Sequence, residues 1–268
     1  MKINEIFYSI SGESIQAGRL AIFIRTFGCP CRCSYCDSMY AVEGNDYKEM
    51  SIDDILSEVS KYASKYVVLT GGEPLIQSES HELIQRLVYS GYHVEIETCG
   101  AVDISYAASL EGVTVTMDWK CPSSNMLEKM IATNLEHLRA SDALKCVVGS
   151  REDLDEMLRV SKLTLAQVFV SPVFGKIEPK EIVEYLMEHE LTNVRLQLQL
   201  HKFIWPIDMR GATSMRAPGC GWHIFQRAAP LCRPQCPGGR SPVQRSSTPD
   251  TLQRNHRRRK GSPKLWEH

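Results

Sequence analysis

Short apolar segments alternate with amphipathic segments along the first 211 residues of this 268-residue chain. The apolar segments are rich in β-branched residues and most end at glycine, proline or polar residues, which is typical of buried strands. The last one, VRLQLQL, alternates strictly between apolar and polar residues, so we predict an edge strand with one solvated face. The seven predicted strands are 20–28, 66–70, 93–98, 113–118, 143–148, 167–172 and 194–200.

The segments between these strands have helical periodicity. The stretch SIDDILSEVSKYASKY begins at Ser51, a predicted N-cap, and places its apolar residues on one face. Strands that alternate with helices form an α/β fold with a parallel sheet and right-handed crossovers. The length favours a partial, trimmed TIM-like barrel over a complete one. Further helices are predicted within 79–91, where Gly91 follows the last turn, and within 151–163 and 178–191.

Composition divides the chain at residue 211. Residues 1–211 carry 20 basic and 30 acidic residues, whereas residues 212–268 carry 11 basic and two acidic residues and seven of the 13 prolines. We therefore predict a catalytic domain over 1–211 and a disordered basic tail over 212–268. The RNHRRRK run could bind nucleic acid electrostatically. The abrupt change favours a frameshift or read-through into unrelated sequence instead, so no nucleic-acid partner is expected.

Four of the ten cysteines lie within GCPCRCSYC, residues 28–36. The sequence has no run of 18 apolar residues and no signal-peptide pattern, so we expect a cytosolic protein without a membrane span. In a reducing cytosol, clustered cysteines more often bind metal or carry out redox chemistry than form disulfides.

Three interpretations of this cysteine cluster compete. Structural zinc usually takes its ligands from two separated pairs, and no second pair lies nearby in the domain. Buried thiols that merely fill space are improbable at four in eight positions. The third interpretation is an iron–sulfur cluster, in which Cys29, Cys33 and Cys36 supply three thiolates and one iron remains open. S-adenosylmethionine can chelate that iron, and an electron then splits its sulfonium to give a 5′-deoxyadenosyl radical.

The Cys-x3-Cys-x2-Cys spacing with Tyr35 before the last cysteine resembles the radical S-adenosylmethionine superfamily. The TGGEP stretch, residues 70–74, follows the next strand and matches the glycine-rich strand end of that superfamily. In that resemblance Cys31 is the spare cysteine and Tyr35 lies beside the adenine. Gly72 approaches the cofactor, because a residue without a Cβ permits close approach.

The stretches SGESIQAGRLAIFIRTFGC, YCDSMYAV and LQLHKFIW extend the resemblance over residues 1–211. They are similar to the 7-carboxy-7-deazaguanine synthase family, lyases that convert 6-carboxy-5,6,7,8-tetrahydropterin to 7-carboxy-7-deazaguanine with loss of ammonia on the route to queuosine. Ring contraction needs a hydrogen atom removed at C6 and later returned, and it needs no protein nucleophile. The resemblance implies a [4Fe-4S] cluster, S-adenosylmethionine and Mg²⁺ as cofactors. It also implies a pterin substrate, an electron donor such as flavodoxin, and a homodimer.

The resemblance assigns roles residue by residue. Arg25 suits a substrate carboxylate because its planar fork makes two charge-assisted hydrogen bonds, although a strand arginine paired with a local acid is the alternative. Ser38 is implied as a Mg²⁺ ligand, and a helix cap is the alternative. A lone histidine such as His201, next to Lys202, is more often a satisfied polar residue than a catalyst. The other implied substrate contacts are Ile10, Ser11, Gly12 and Thr70. The other implied cofactor contacts are Tyr35, Cys36, Asp37, Gly72, Thr98, Asp118, Trp119 and Lys120.

The sequence departs from the family pattern at several positions. Two alternative functions also remain possible on the sequence alone. Ser11 and Ser14 replace residues of the family's Gln-Gly-Glu-Gly stretch, and Cys31 replaces an apolar residue. A glycyl-radical-activating enzyme shares both the cysteine spacing and the GGEP stretch, but acts on a partner protein. A non-catalytic zinc or iron–sulfur module explains the cysteines and gives no reason for TGGEP.

Overall fold

The computed structural model describes residues 1–206 and residue 210, and this part of the chain forms a nine-stranded sheet. The order across the sheet is β3-β1-β2-β4-β5-β6-β7-β8-β9. Every neighbouring pair from β2 to β9 is parallel, whereas β1 is antiparallel to both β2 and β3. The strands are β1 Lys2–Ile10, β2 Leu20–Thr26, β3 Lys48–Glu49, β4 Tyr66–Gly71, β5 His93–Thr98, β6 Val113–Trp119, β7 Ala143–Val148, β8 Gln167–Pro172 and β9 Val194–Leu196.

All seven predicted strands are present, and the predicted parallel α/β architecture is confirmed. The last strand lies at the sheet edge as predicted, but it ends at Leu196 and not at Leu200. The sequence did not predict β1, which extends the sheet by pairing along most of β2. The predicted tail, residues 212–268, lies outside the described residues.

Four helices of eight or more residues connect the parallel strands, as predicted: α1 Ile52–Val59, α2 Ser80–Tyr89, α5 Arg151–Ser161 and α6 Pro179–Glu188. The hydroxyl of Ser51 caps α1 by accepting a hydrogen bond from the Asp54 amide, which confirms the predicted N-cap. The helix ends at Val59, earlier than the pattern suggests, and Gly91 follows α2 with a φ of +78°. Three short helices are α3 Ser105–Ser109, α4 Asn134–His137 and α7 His201–Ile204.

The main core lies between the sheet and the helices. It contains the alternate residues of the central strands, such as Ile22, Leu69 and Ile96, together with the apolar faces of α1, α2, α5 and α6. Fully burying an aliphatic side chain of this kind stabilises the fold by roughly 1.5–3 kcal/mol. Because successive strand residues point to opposite faces, the residues between them lie on the other face of the sheet, away from this core.

This second face of the sheet carries both apolar and charged residues. Phe7, Phe23, Tyr66 and Val68 form a small apolar cluster there with Ala21. The same face carries charged residues closer to the carboxyl ends of the strands, and these line a cavity. Within the described residues, no helix is both long and apolar enough to cross a membrane.

Candidate functional site

The carboxyl ends of the parallel strands surround a cavity of about 870 Å³. Parallel α/β folds bind their ligands at this edge of the sheet. Strand ends from β1, β2 and β4–β7, the loop after β2 and the segment 199–206 form its wall. The predicted site residues that line it are Ile10, Gly12, Arg25, Cys29, Cys33, Tyr35, Cys36, Asp37, Ser38, Thr70, Gly72, Thr98, Asp118 and Lys120.

The cysteine loop, residues 28–38, is held in place by its own hydrogen bonds. The guanidinium of Arg32 donates to the carbonyl oxygens of Cys29 and Cys31, each at 2.8 Å, and the Gly28 amide donates to Ala41. Cys29, Cys33 and Cys36 are partly exposed and line the cavity, so a bound group can reach their thiols. Three thiols that reach one cavity fit the requirements of an iron–sulfur cluster.

Cys31 is buried against a cysteine that the sequence reasoning did not include. Its Sγ atom lies 3.8 Å from Sγ of Cys99, which directly follows β5. Hydrogen bonds with the thiols of Cys31 and Cys99 lower the pKa of the Cys29 thiol below its usual value. A lowered pKa favours the thiolate, which is the form that binds metals.

The TGGEP strand end is packed tightly against the cysteine loop. A Cβ at Gly72 would overlap the carbonyl group of Gly28, and one at Gly71 would overlap the backbone of Thr26. The sequence reasoning connected Gly72 with close approach of a cofactor, but the cysteine loop already excludes a side chain there. Glu73 is fully buried and accepts hydrogen bonds from the Thr98 hydroxyl and the Cys99 amide, at 2.9 and 2.6 Å. It therefore joins the ends of β4 and β5.

A row of charged side chains crosses the cavity wall. Lys120 lies 2.8 Å from Asp118 Oδ2, and Lys145 lies 3.7 Å from the same oxygen while also pairing with Glu13. Burial alone would raise the pKa of Asp118, but Lys120 and Lys145 more than offset it and hold that pKa below its usual value. Burial would lower the pKa of Lys145, but Glu13 and Asp118 hold it above its usual value. Asp118, Lys120 and Lys145 are therefore ionised at neutral pH.

Glu97 lies on the same wall, but its pKa is raised, whereas that of Asp118 is lowered. Burial, followed by the neighbouring carboxylates of Glu95 and Glu13, raises the pKa of Glu97 to about 7. Thr70 Oγ1 donates a 2.7 Å hydrogen bond to Glu97 Oε2. A carboxyl group that titrates near neutral pH can serve as an acid or a base in catalysis.

Arg25 projects into the cavity from β2 and is paired with a local acid. Its Nε donates a 2.8 Å hydrogen bond to Glu5 Oε1 on the adjacent strand β1. The Tyr40 hydroxyl donates to the same oxygen at 3.2 Å. The salt bridge anticipated as the alternative is present, and it fixes Arg25 at the cavity wall.

The turn after β1 is clamped by the segment that follows β9. The Gln197 side chain accepts a hydrogen bond from the Ser14 amide at 2.6 Å and donates to the Ser14 carbonyl at 2.8 Å. Ser14 has a φ of +64°, and its hydroxyl lies 2.6 Å from Thr116 Oγ1. A Cβ at Gly12 would overlap the His201 ring. The hydrogen bonds of Ser14 with Gln197 and Thr116 explain how this serine occupies a left-handed position that usually favours glycine.

Asp37 and Ser38 place two oxygen groups side by side after the last cysteine. Ser38 Oγ donates a 3.1 Å hydrogen bond to Asp37 Oδ1, and it does not cap the short helix that follows. Lys202 Nζ lies 3.5 Å from Asp37 Oδ2. Ser38 therefore occupies the N-cap position of that helix, but its hydroxyl does not cap it.

Two predicted site residues lie away from the cavity. Trp119 is buried on the opposite side of β6, where its indole nitrogen donates a 2.8 Å hydrogen bond to Glu156 Oε1. It lies between Asp118 and Lys120, which face the cavity, so strand alternation turns it away. Ser11 is buried, and its hydroxyl donates to the Glu13 carbonyl. Tyr35, in contrast, lines the cavity and donates to the Val147 carbonyl at 3.1 Å.

The sequence reasoning missed several charged or polar residues of the cavity wall: Glu13, Tyr40, Glu97, Cys99, Lys145 and Gln199. Glu97 shares one face of β5 with Glu95, and Lys145 is the single charged residue of β7, so charges in these buried strands could have indicated a polar interior. His201, considered a satisfied polar residue, lines the cavity beside Gly12. Burial lowers the pKa of its imidazole.

Comparison with known proteins gives consistent matches. A family model described as the radical SAM superfamily matches residues 23–145. A 7-carboxy-7-deazaguanine synthase from Clostridium acetobutylicum is 39% identical over 217 residues, covering 78% of this chain and 98% of that protein. A second enzyme with this name, from Methanospirillum hungatei, is 39% identical over 207 residues, covering 76% of this chain and 85% of that protein.

A solved structure shows the same fold. The crystal structure of QueE from Escherichia coli matches with a TM-score of 0.63 and 24% identity. The match covers 75% of this chain and 94% of the Escherichia coli chain. The architecture built from β1 to β9 is therefore shared with that structure.

Proposed function

The chain belongs to the 7-carboxy-7-deazaguanine synthase family of radical S-adenosylmethionine enzymes, and we propose that it converts 6-carboxy-5,6,7,8-tetrahydropterin to 7-carboxy-7-deazaguanine with loss of ammonia. The observation that carries this proposal is one shared cavity. Its wall contains the three motif cysteines and Arg25, a cation suited to the substrate carboxylate.

The cluster and its cofactor would lie against the cysteine loop. Cys29, Cys33 and Cys36 would hold the [4Fe-4S] cluster and leave one iron for the amino and carboxylate groups of S-adenosylmethionine. When bound, these groups supply a 5′-deoxyadenosyl radical that abstracts hydrogen from the substrate. The residues proposed to position the cofactor are Tyr35, Cys36, Asp37, Gly72, Thr98, Asp118 and Lys120, all of which line the cavity.

The substrate would lie between β2 and the turn after β1. Arg25, held by Glu5, would bind the substrate carboxylate, while Ile10, Gly12 and Thr70 would line the pterin. Glu97, which hydrogen bonds with Thr70, would exchange a proton with a substrate nitrogen during loss of ammonia. The Gln197 clamp would keep the turn rigid.

A magnesium ion would complete the site at the end of the cysteine loop. Mg²⁺ prefers hard oxygen ligands, and the Asp37 carboxylate and Ser38 hydroxyl offer two adjacent oxygens on the cavity wall. We propose that this ion orients the substrate carboxylate.

The family resemblance also supports an external electron donor such as flavodoxin and a homodimeric enzyme. A reducing compartment suits the chain, because the seven cysteines of the described residues are free thiols. On this basis we propose the cytosol as its compartment.

The proposed reaction is tested by product analysis under anaerobic conditions. The chain is reconstituted with iron and sulfide and supplied with S-adenosylmethionine, reductant, Mg²⁺ and 6-carboxytetrahydropterin, and products are identified by mass. We expect both 5′-deoxyadenosine and 7-carboxy-7-deazaguanine, with less of the latter when Mg²⁺ is omitted. Cys33→Ser should abolish both products, whereas the matched variant Cys31→Ser should retain them. Formation of 5′-deoxyadenosine alone would contradict the proposed substrate.

A further inference from the structure

We propose that the thiols of Cys29, Cys31 and Cys99 form a second metal site, which binds one soft or borderline divalent ion such as Zn²⁺ when the cluster is absent. Among the described residues these three thiols form a compact group, with all Sγ atoms within 4.8 Å of one another. Cys36, which belongs to the cluster motif, lies outside this group. The group therefore differs from the set that the cluster uses.

The spacing of the three thiols suits a single ion. Zinc–sulfur bonds are about 2.3 Å long, so two thiolates on one tetrahedral zinc lie about 3.8 Å apart. The Sγ atoms of Cys31 and Cys99 are 3.8 Å apart. A four-iron cluster distributes its thiolates over different irons, and its ligands consequently lie farther apart than those of one ion.

The surroundings of the group also favour a bound ion. Cys31 and Cys99 are 3% and 7% exposed, yet both line the cavity, so an ion can enter from there and be shielded once bound. The Cys99 amide is fixed by Glu73, and the carbonyl groups of Cys29 and Cys31 are fixed by Arg32. Water in the cavity could supply the fourth ligand that zinc requires. Ion binding would release protons from the thiols.

The two sites share Cys29, so they cannot be filled together. A zinc-loaded chain would lack one of the three thiolates that the proposed cluster requires. Zinc bound before reconstitution should therefore delay cluster assembly. This consequence rests on the proposed function, whereas ion binding by the three thiols does not.

The test uses Co²⁺, because its charge-transfer absorption reports ligation by thiolates. The affinity for Zn²⁺ is then measured from its displacement of bound Co²⁺. Cys220, Cys232 and Cys236 also offer thiols, so each measurement is made in the full chain both unchanged and with these three replaced by serine. We expect one ion per cluster-free chain. Cys31→Ser and Cys99→Ser should each weaken binding by about tenfold or more, because even a group that only orients a ligand contributes 10–100-fold.

Cys36→Ser is the matched control, because it removes a cluster ligand outside the group. It should lose cluster assembly and keep the Co²⁺ absorption, whereas Cys99→Ser should keep cluster assembly and lose that absorption. Circular dichroism and thermal unfolding confirm that each variant folds. Unchanged ion binding in folded Cys99→Ser, or loss of ion binding in Cys36→Ser, would overturn the second site. Absence of deazaguanine product with this metal pattern intact would instead contradict only the proposed function.

Discussion

Thr70 and Glu97 are joined across neighbouring strands by a 2.7 Å hydrogen bond at the cavity wall. The pKa of Glu97 is raised to about 7, first by burial and then by the carboxylates of Glu95 and Glu13. Glu97 is therefore partly protonated at neutral pH, and its hydrogen-bonded position is fixed. A carboxyl group that titrates near neutral pH is suited to proton transfer, and we propose this role for Glu97.

Replacing this carboxyl group should change the pH dependence of the reaction. If protonated Glu97 donates to the departing nitrogen, kcat of the unmodified enzyme falls as pH rises through about 7. Glu97→Gln keeps a hydrogen-bonding side chain but has no titrating proton. We expect roughly 100-fold lower kcat and no change of slope near pH 7. A Glu97→Gln enzyme with an unchanged profile would show that another group transfers the proton.

Lys145 should be important for folding because it is the cation between Glu13 and Asp118. Lys145→Met removes this cation from the two buried carboxylates. We therefore expect the free energy of unfolding at pH 7 to fall by about 3 kcal/mol. The lowered pKa of Asp118 stabilises the fold above pH 3.8, the pKa of this group in the unfolded chain. The raised pKa of Lys145 stabilises the fold below pH 10.5, the corresponding value for lysine. The loss should therefore be largest between these pH values.

Lys180→Met provides the matched control for that measurement. Lys180 and Glu184 are 83% and 62% exposed and lie 3.6 Å apart, so their pairing should contribute less than about 1 kcal/mol. Denaturant unfolding at pH 7 and below pH 4 compares the variants. Equal losses at both positions would contradict the buried ion-pair network.

The close contact between Gly72 and Gly28 predicts that an added methyl group displaces the cysteine loop. Gly72→Ala should therefore reduce the iron and sulfide incorporated per chain, and it should lower the unfolding temperature. Gly149→Ala is the control, because a Cβ there meets its nearest atom at an ordinary 3.4 Å. Normal iron content in Gly72→Ala would show that the loop accommodates the methyl group.

Trp119 should have no part in cofactor binding. Its indole donates to Glu156 on the helix side of the sheet. Trp119→Phe should cost about 1 kcal/mol of stability for the lost hydrogen bond and leave the Kd for S-adenosylmethionine within about twofold. Asp118→Asn, on the cavity side of the same strand, should weaken cofactor binding when measured by equilibrium dialysis. A large effect of Trp119→Phe on that Kd would contradict this orientation.

The sequence predicted the parallel sheet because its strands and helices have different periods and clear ends. Ser51 and Gly91 illustrate this, since local capping chemistry alone determines their positions. β1 was missed because its pairing with β2 is a long-range contact, and KINEIFYSI lacks a regular alternation.

The site was predictable where residues are close in sequence and less so where they meet only in the fold. The cysteine loop and TGGEP are continuous motifs, and both line the cavity. Cys99 lies 68 positions from Cys31, so their contact depends on the packing of β5 against the loop. Trp119 was assigned with its neighbours as a block, although alternation along a strand already implied the opposite face.

The most direct measurement of the central claim uses 6-carboxytetrahydropterin deuterated at C6 with the reconstituted enzyme. The mass of the 5′-deoxyadenosine formed reports whether the hydrogen atom is taken from that carbon. The account predicts deuterium in 5′-deoxyadenosine together with 7-carboxy-7-deazaguanine. Unlabelled 5′-deoxyadenosine without deazaguanine would contradict it.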